Sequence, residues 1–236
     1  NKNTGAARNS LIGALVRSVD DSGTVLVEDN TKPIVVNVGS ASGTFSANGG
    51  GHDHGVDQIV GLDRVGHEYI FVKGNGQNSN SGGELETPLI VAAVNGTQIY
   101  INDDTNPAAT IDAGDYYLIS SGYYSSQAQG ATMYVRTQDK NYPVFAYQGV
   151  GGSGTSEANQ GMFFVPPLSD EANDDVNNIP QIGYIGNTNY DDQAGVTIVT
   201  NSDATITIND QGGDYDIASL TAVTVTGKTD YKAYSI

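Results

Sequence analysis

Short runs in which apolar and polar residues alternate recur along this chain, which is the pattern of half-buried β-strands. The runs are rich in β-branched and aromatic residues and are bounded by Gly, Asn, Asp and Ser. They are residues 24–28, 34–38, 98–102, 133–136, 196–199 and 204–209. Helical periodicity is nearly absent. The pattern therefore predicts an all-β protein built from antiparallel β-sandwiches.

The dipeptide Asn95-Gly96 marks the clearest turn in the sequence. An apolar run at 90–94 precedes it, and an alternating run at 97–101 follows it. Asn and Gly are the residues that readily adopt the two positive φ angles of a type I′ turn. The sequence therefore predicts that the two runs pair as a β-hairpin.

Three segments of the chain recur in the same order. Residues 89–103 align without gaps on residues 196–210, an offset of 107 (210 − 103). The other matches are 33–39 with 143–149, offset 110 (143 − 33), and 55–62 with 161–168, offset 106 (161 − 55). The chain therefore holds a little over two copies of a unit of about 107–110 residues, which suits a sandwich module.

This repeat predicts tandem β-sandwich modules. We place the end portion of one module at 1–62, a central module at 63–178 and the start of a further module at 179–236. Because the chain does not begin with Met, we expect a piece of a longer protein.

Composition narrows the possible partners. The formal net charge of −17 argues against nucleic acid, whose phosphates need cations, and against an anionic membrane surface. No apolar run approaches the roughly 18 residues that span a bilayer, so no membrane insertion is expected. Cysteine is absent, which excludes disulfides and thiolate metal sites. Acidity without cysteine favours a bacterial cell exterior.

Two strings of sequence carry a resemblance to a known family. The first comprises 55–60 and 65–76, and the second comprises 144–152 and 159–169. Together they resemble the bacterial branch of the IgGFc-binding-protein N-terminal-like family, found in large secreted surface proteins of Bacteroidota, some of them similar to gliding-motility adhesins. One departure is 52–54, where His-Asp-His replaces an expected basic-acidic pair.

The resemblance implies extracellular display on a bacterial cell surface, repeated β modules and an adhesive or scaffolding role. It carries over no catalytic residues. The family name does not imply that this chain binds antibodies.

Acidic clusters are the candidate metal ligands. Calcium takes six to eight hard oxygen ligands, which loops between modules can supply. The best single cluster is Asp170, Glu171, Asp174 and Asp175. The alternative is that these carboxylates are solvated loop charges that oppose strand-to-strand aggregation. Calcium is therefore the candidate cofactor.

Tyrosines are the candidate ligand-binding residues, because the chain has no Trp with which to stack on a sugar. Two adjacent pairs, Tyr116-Tyr117 and Tyr123-Tyr124, flank one expected loop. Neighbours in a strand point to opposite faces, so at most one of each pair is expected at the surface. The alternative is that they are ordinary core and surface tyrosines.

These observations predict a non-catalytic module of a large bacterial cell-surface adhesin or filament that serves adhesion and spacing. The expected partners are neighbouring modules of the same chain and a surface polysaccharide or another surface protein. A glycan-binding module, with calcium as a candidate ligand, is the alternative function. An enzyme is not expected, because no Ser-His-Asp order or Gly-x-Ser-x-Gly motif is present.

Overall fold

The computed structural model describes residues 16, 22, 34–43, 53–74, 86–150, 161–168, 184–185, 188–189, 196–210, 213–215 and 220–235. These residues form antiparallel β-strands and two 3-10 turns, Leu62–Arg64 and Ser121–Tyr123. The strands are β1 (Val36–Gly43), β2 (Asp53–Ile59), β3 (Glu68–Val72), β4 (Pro88–Ala92), β5 (Thr97–Ile101), β6 (Ala109–Ile111), β7 (Tyr116–Leu118), β8 (Thr132–Arg136), β9 (Val144–Val150), β10 (Gly161–Phe164), β11 (Tyr184–Ile185), β12 (Thr188–Asn189), β13 (Thr197–Asn201), β14 (Ile208–Asp210), β15 (Gly213–Tyr215), β16 (Val223–Thr224) and β17 (Tyr231–Ser235). The predicted all-β fold is confirmed.

Two four-stranded antiparallel sheets pack face to face. Sheet I has the order β10-β9-β4-β7, and sheet II has the order β3-β8-β5-β6. One apolar cluster from both sheets fills the space between them, which makes this part of the chain a β-sandwich. Its buried members are Tyr69, Phe71, Ile90, Ile99, Ile101, Ile119, Tyr124, Ala131, Met133, Val135, Val144, Ala146 and Val165.

A third layer covers the outer face of sheet II. Its strands have the order β13-β17-β16. Val225 beside β16 forms a second buried cluster with Ile70 and Tyr134 of sheet II, and Val199 and Tyr231 pack against it. This layer explains why β8 is buried on both faces.

Polar contacts also fasten this third layer. Lys228 places its Nζ 3.6 Å from a carboxylate oxygen of Glu68, and the Tyr134 hydroxyl donates a hydrogen bond to Glu68. Gly227 has a φ of 80°, and a Cβ there would lie 2.3 Å from the Asn102 carbonyl oxygen. The third layer therefore approaches sheet II backbone to backbone at this turn.

The predicted hairpin at Asn95-Gly96 is wrong. Strand β4 pairs with β7 and β9 in sheet I, whereas β5 pairs with β6 and β8 in sheet II. Both strands bury alternate residues in the same core, so the chain must cross from one sheet to the other. The corner is closed by Asp112, whose Oδ1 accepts from Gly96 N at 2.9 Å. Gly96 has a φ of 71°, but Asn95 is not a positive-φ residue.

The recurring segments share one feature of pairing. Strands β1 and β2 pair Ser40 with Gly55, and the sequence offsets map this pair onto Val150 and Gly161, which are partners in β9 and β10. The two hairpins therefore have the same register. The third pair of matched segments, 89–103 and 196–210, does not share its strand pairing. In the first segment β5 pairs with β6 and β8, whereas in the second β14 pairs with β15. A tandem repeat of whole sandwiches, with boundaries at 62/63 and 178/179, stays a prediction.

Candidate binding face

The four predicted tyrosines lie in different environments. Tyr116 and Tyr123 have exposed fractions of 55% and 38%, whereas Tyr124 is 4% exposed and Tyr117 packs against the core. The buried Tyr124 hydroxyl donates to the backbone carbonyl of Glu86 at 2.9 Å. One tyrosine of each pair therefore serves the core, and one of each faces solvent. Their role in ligand binding stays a prediction.

Burial and a neighbouring phenol both affect the ionisation of Tyr117. Partial burial raises the pKa of the Tyr117 phenol, and the nearby Tyr123 phenol raises it further. The 3-10 turn that carries Tyr123 is held by Ser120, whose Oγ accepts from Gly122 N at 3.2 Å. The Tyr123 carbonyl accepts from Asn102 Nδ2 at 2.8 Å, which anchors this turn to the end of β5.

Tyr116 belongs to a larger apolar surface on the outside of sheet I. The inward positions of β4 and β9 are known from buried Ile90 and Ala146, which are direct partners. The residues that alternate with Ile90 along β4, and with Ala146 along β9, must point outward, because successive side chains in a strand point to opposite faces. We call this outward set the aromatic face. Its members are Leu89, Val91, Tyr116, Leu118, Phe145, Tyr147, Met162 and Phe164.

Residues of the aromatic face form rows across the sheet. Val91 is the partner of both Tyr116 and Phe145, which makes one row of three. In the next row, the rings of Tyr147 and Phe164 meet edge to face with centroids 5.9 Å apart. The face is thus apolar, and among the described strands of sheet I its outward positions carry no charge.

Sequence reasoning missed this face, apart from Tyr116, although β9 held a signal. Its run Val144-Phe145-Ala146-Tyr147 is apolar at both odd and even positions. Such a run indicates a strand with apolar environments on both sides, not a half-exposed one. Pairing with β4 and β7, which carry apolar residues at the matching positions, could not be read from the local sequence.

A buried ion pair closes one end of the sandwich. Lys73 Nζ lies 3.3 Å from Glu86 Oε2, with side-chain exposures of 2% and 5%. Burial and the neighbouring Glu86 carboxylate raise the pKa of the Tyr124 phenol far above its usual value. A cavity of about 240 Å³ lies beside Lys73 and is also lined by Gln148 and Phe163. The pairing neutralises two charges that would otherwise be costly to enclose.

The predicted calcium ligands Asp170, Glu171, Asp174 and Asp175 lie outside the described residues. Within the described part of the chain, no group of three or more His, Asp or Glu side chains is arranged to hold a metal ion. The same part contains no helix that is long and apolar enough to cross a bilayer. Calcium binding stays a prediction.

An exposed apolar face of this kind generally marks an interaction surface. The model of the family described as IgGFc binding protein matches residues 7–236. Since the match covers nearly the whole chain, the chain belongs to the IgGFc binding protein family. Members of this family are typically secreted or extracellular. Searches of curated proteins and of solved structures gave no match.

Proposed function

We propose that the chain is a non-catalytic module of a large adhesin or filament on the surface of a bacterium of the Bacteroidota, where it serves adhesion and spacing. The observation that carries this proposal is the packing of successive parts of the chain in layers. The three-stranded sheet at the end of the chain covers sheet II through the Ile70, Tyr134 and Val225 cluster. Packing between the layers opposes their separation, which suits a spacer.

Charge and family support the same function. A net charge of −17 keeps an exposed protein soluble and limits non-specific association. Family membership indicates an extracellular binding module. Within each sheet, neighbouring strands are joined by rows of backbone hydrogen bonds, which resist separation when the ends of the chain are pulled.

Protease shaving of intact source cells tests this proposal. Cells are treated with protease and blotted with an antibody against residues 86–150, and a cytosolic protein serves as the control. We expect the signal in a very large band that disappears on shaving while the cytosolic control survives. A band near 25 kDa that persists unshaved would refute a surface adhesin.

The absence of catalysis is part of the same proposal. The buried charges Lys73 and Glu86 face each other, so each is already used in a structural ion pair. A broad hydrolase screen of the purified chain should stay blank. Activity that is lost when a single carboxylate is replaced would show that the module is an enzyme.

Glycan binding is a second candidate, favoured by the exposure of Tyr116 and Tyr123. Aromatic rings at a surface can stack on the apolar face of a sugar. A glycan array with and without calcium tests it, using Tyr116→Ala and Tyr123→Ala as variants and the exposed Leu62→Ala as the control. Binding that is retained in both tyrosine variants, or a blank array with calcium present, would exclude this site.

A further inference from the structure

We propose that the aromatic face is the docking surface for an apolar-faced β-sheet of a neighbouring module in the same long polypeptide. This inference rests on the proposed function, because it takes the chain to be one module in a series. It names the partner of a surface that the proposed function leaves open.

The chemistry of the face requires an apolar partner. Tyr116, Leu118 and Met162 expose 55%, 39% and 36% of their surface, and the remaining members are half-buried. A contiguous apolar patch on a soluble protein generally marks an interaction site. A highly charged partner would lose hydration against this face without gaining a counter-charge.

The opposite outer face of the same sandwich shows what such a partner looks like. There Ile70 and Tyr134 are 7% and 3% exposed, because Val225, Val199 and Tyr231 of the third layer pack on them. The chain thus already covers one apolar outer face with a small sheet from an adjacent part of its own sequence. The aromatic face offers the equivalent surface on sheet I.

The N-terminal part of the chain leads to this face. Strand β2 lies against β10, which is the edge strand of sheet I. Strands β1 and β2 also share the register of β9 and β10, as expected for the corresponding hairpin of a preceding module. The module that contains this hairpin is therefore adjacent to the edge of the aromatic face.

The size of the face favours a tethered partner over a free one. Four strands about 4.8 Å apart and roughly five residues long at about 3.3 Å per residue cover on the order of 300 Å². A stable interface between free proteins buries about 800 Å² per partner. A small face still binds when a linker holds its partner at millimolar effective concentration. We therefore assign the face to a neighbour on the same polypeptide.

A tandem protein tests this assignment. Two copies of the 236-residue chain are joined by a Gly/Ser linker of about 20 residues, which spans roughly 25 Å. Exposed Ser126→Thr marks one copy, so mass spectrometry of peptides can follow Tyr116 in each copy separately. The readout is the rate at which a water-soluble tyrosine reagent modifies Tyr116, compared with the single chain.

We expect modification of Tyr116 to be at least threefold slower in one copy of the tandem protein. Leu118→Glu in both copies should abolish this protection, because it places a charge in the face. Leu62→Glu is the matched control, since Leu62 is 46% exposed and lies outside the face, and it should leave the protection intact. Met162→Glu is a second test variant for use if Leu118→Glu does not fold as a single chain.

Equal modification rates in the tandem and single proteins would overturn the inference. Protection of the single chain at micromolar concentration, lost on dilution, would also overturn it and assign the face to a free second copy. Either result would leave the expected outcome of protease shaving unchanged. Failure of this inference is therefore distinguishable from failure of the proposed function.

Discussion

Lys73 and Glu86 are charged side chains that the sandwich encloses almost completely, with exposed fractions of 2% and 5%. Each is tolerated because the other is present, since removal of one partner leaves an uncompensated buried charge. Glu86 also adopts a φ of 59°, and its carbonyl accepts from the Tyr124 hydroxyl. Several interactions at this end of the sandwich therefore depend on the position of one residue.

Replacing Lys73 with Met should lower the free energy of unfolding by about 3–5 kcal/mol, because Glu86 then stays buried without a partner. Chemical denaturation measures this change. Arg64→Met is the matched control, since Arg64 pairs with Asp63 at 76% exposure, and its effect should stay within about 0.5 kcal/mol. The double variant Lys73→Met/Glu86→Leu should recover most of the loss. Equal stability of Lys73→Met and Arg64→Met would contradict the argument.

Three buried tyrosines make stability depend on alkaline pH. Burial raises the pKa values of the Tyr69, Tyr124 and Tyr134 phenols above the usual value of about 10. Above that pH the unfolded chain releases these protons while the native chain retains them, so the free energy of unfolding falls as pH rises. Below pH 10 these three phenols should not make the free energy of unfolding depend on pH.

Denaturation series between pH 9 and pH 11.5 measure this slope. Three such groups give a limiting slope of about 4 kcal/mol per pH unit above pH 10. Tyr124→Phe should reduce the slope by about one third. A free energy of unfolding that does not fall across this range would exclude the effect.

At the scale of elements, the turn that carries Gly227 joins the third layer to the end of β5. Gly227 and Gly96 both have a positive φ, of 80° and 71° respectively. Their surroundings differ, because a Cβ at Gly227 would collide with the Asn102 backbone, whereas nothing lies within 4 Å of a Cβ at Gly96. Variants at the two glycines therefore separate the free-energy cost of a positive φ from the cost of a close backbone approach.

Gly96→Ala should cost about 1–2 kcal/mol of unfolding free energy, the usual penalty for a left-handed non-glycine residue. Gly227→Ala should cost clearly more, because the third layer must also move away from sheet II. Hydrogen exchange should then accelerate more at Val225 and Tyr231 than at Ile90. If the two variants are equally stable and exchange alike, the close approach contributes nothing.

The elements also show how far the sequence determines the fold. Strand positions follow from local alternation, and 98–102 and 133–136 correspond closely to β5 and β8. The pairing of strands cannot be predicted from local alternation, because it depends on which faces share a core. The Asn95-Gly96 corner therefore joins two sheets and not two paired strands. Of the predicted strand 204–209, residues 204–207 are not in a strand, and 208 and 209 belong to β14 (Ile208–Asp210). Tyr116 was predicted to lie at a binding surface, but the rest of the aromatic face needed the register of sheet I.

At the scale of the whole molecule, three sheets lie in layers, and the middle one contributes to two apolar clusters. Val225 is fully buried in the outer cluster, whereas Val223 on the same short segment is 39% exposed. Because β8 faces both clusters, we expect the sandwich and the third layer to unfold together.

Val225→Ala should lower the free energy of unfolding by about 2 kcal/mol, since it leaves a cavity between layers. Val223→Ala is the matched control and should stay within about 0.5 kcal/mol. Tyrosine fluorescence during denaturation should show one transition that shifts as a whole. A separate early transition in Val225→Ala would show that the third layer unfolds independently.

The common register of the β1–β2 and β9–β10 hairpins has a genetic consequence. A shift of one residue between paired strands would turn every inward side chain outward. Two hairpins with the same register can therefore be exchanged by recombination without turning inward side chains outward. An exchange at matched codons would remove or add one complete unit while every strand keeps its inward face.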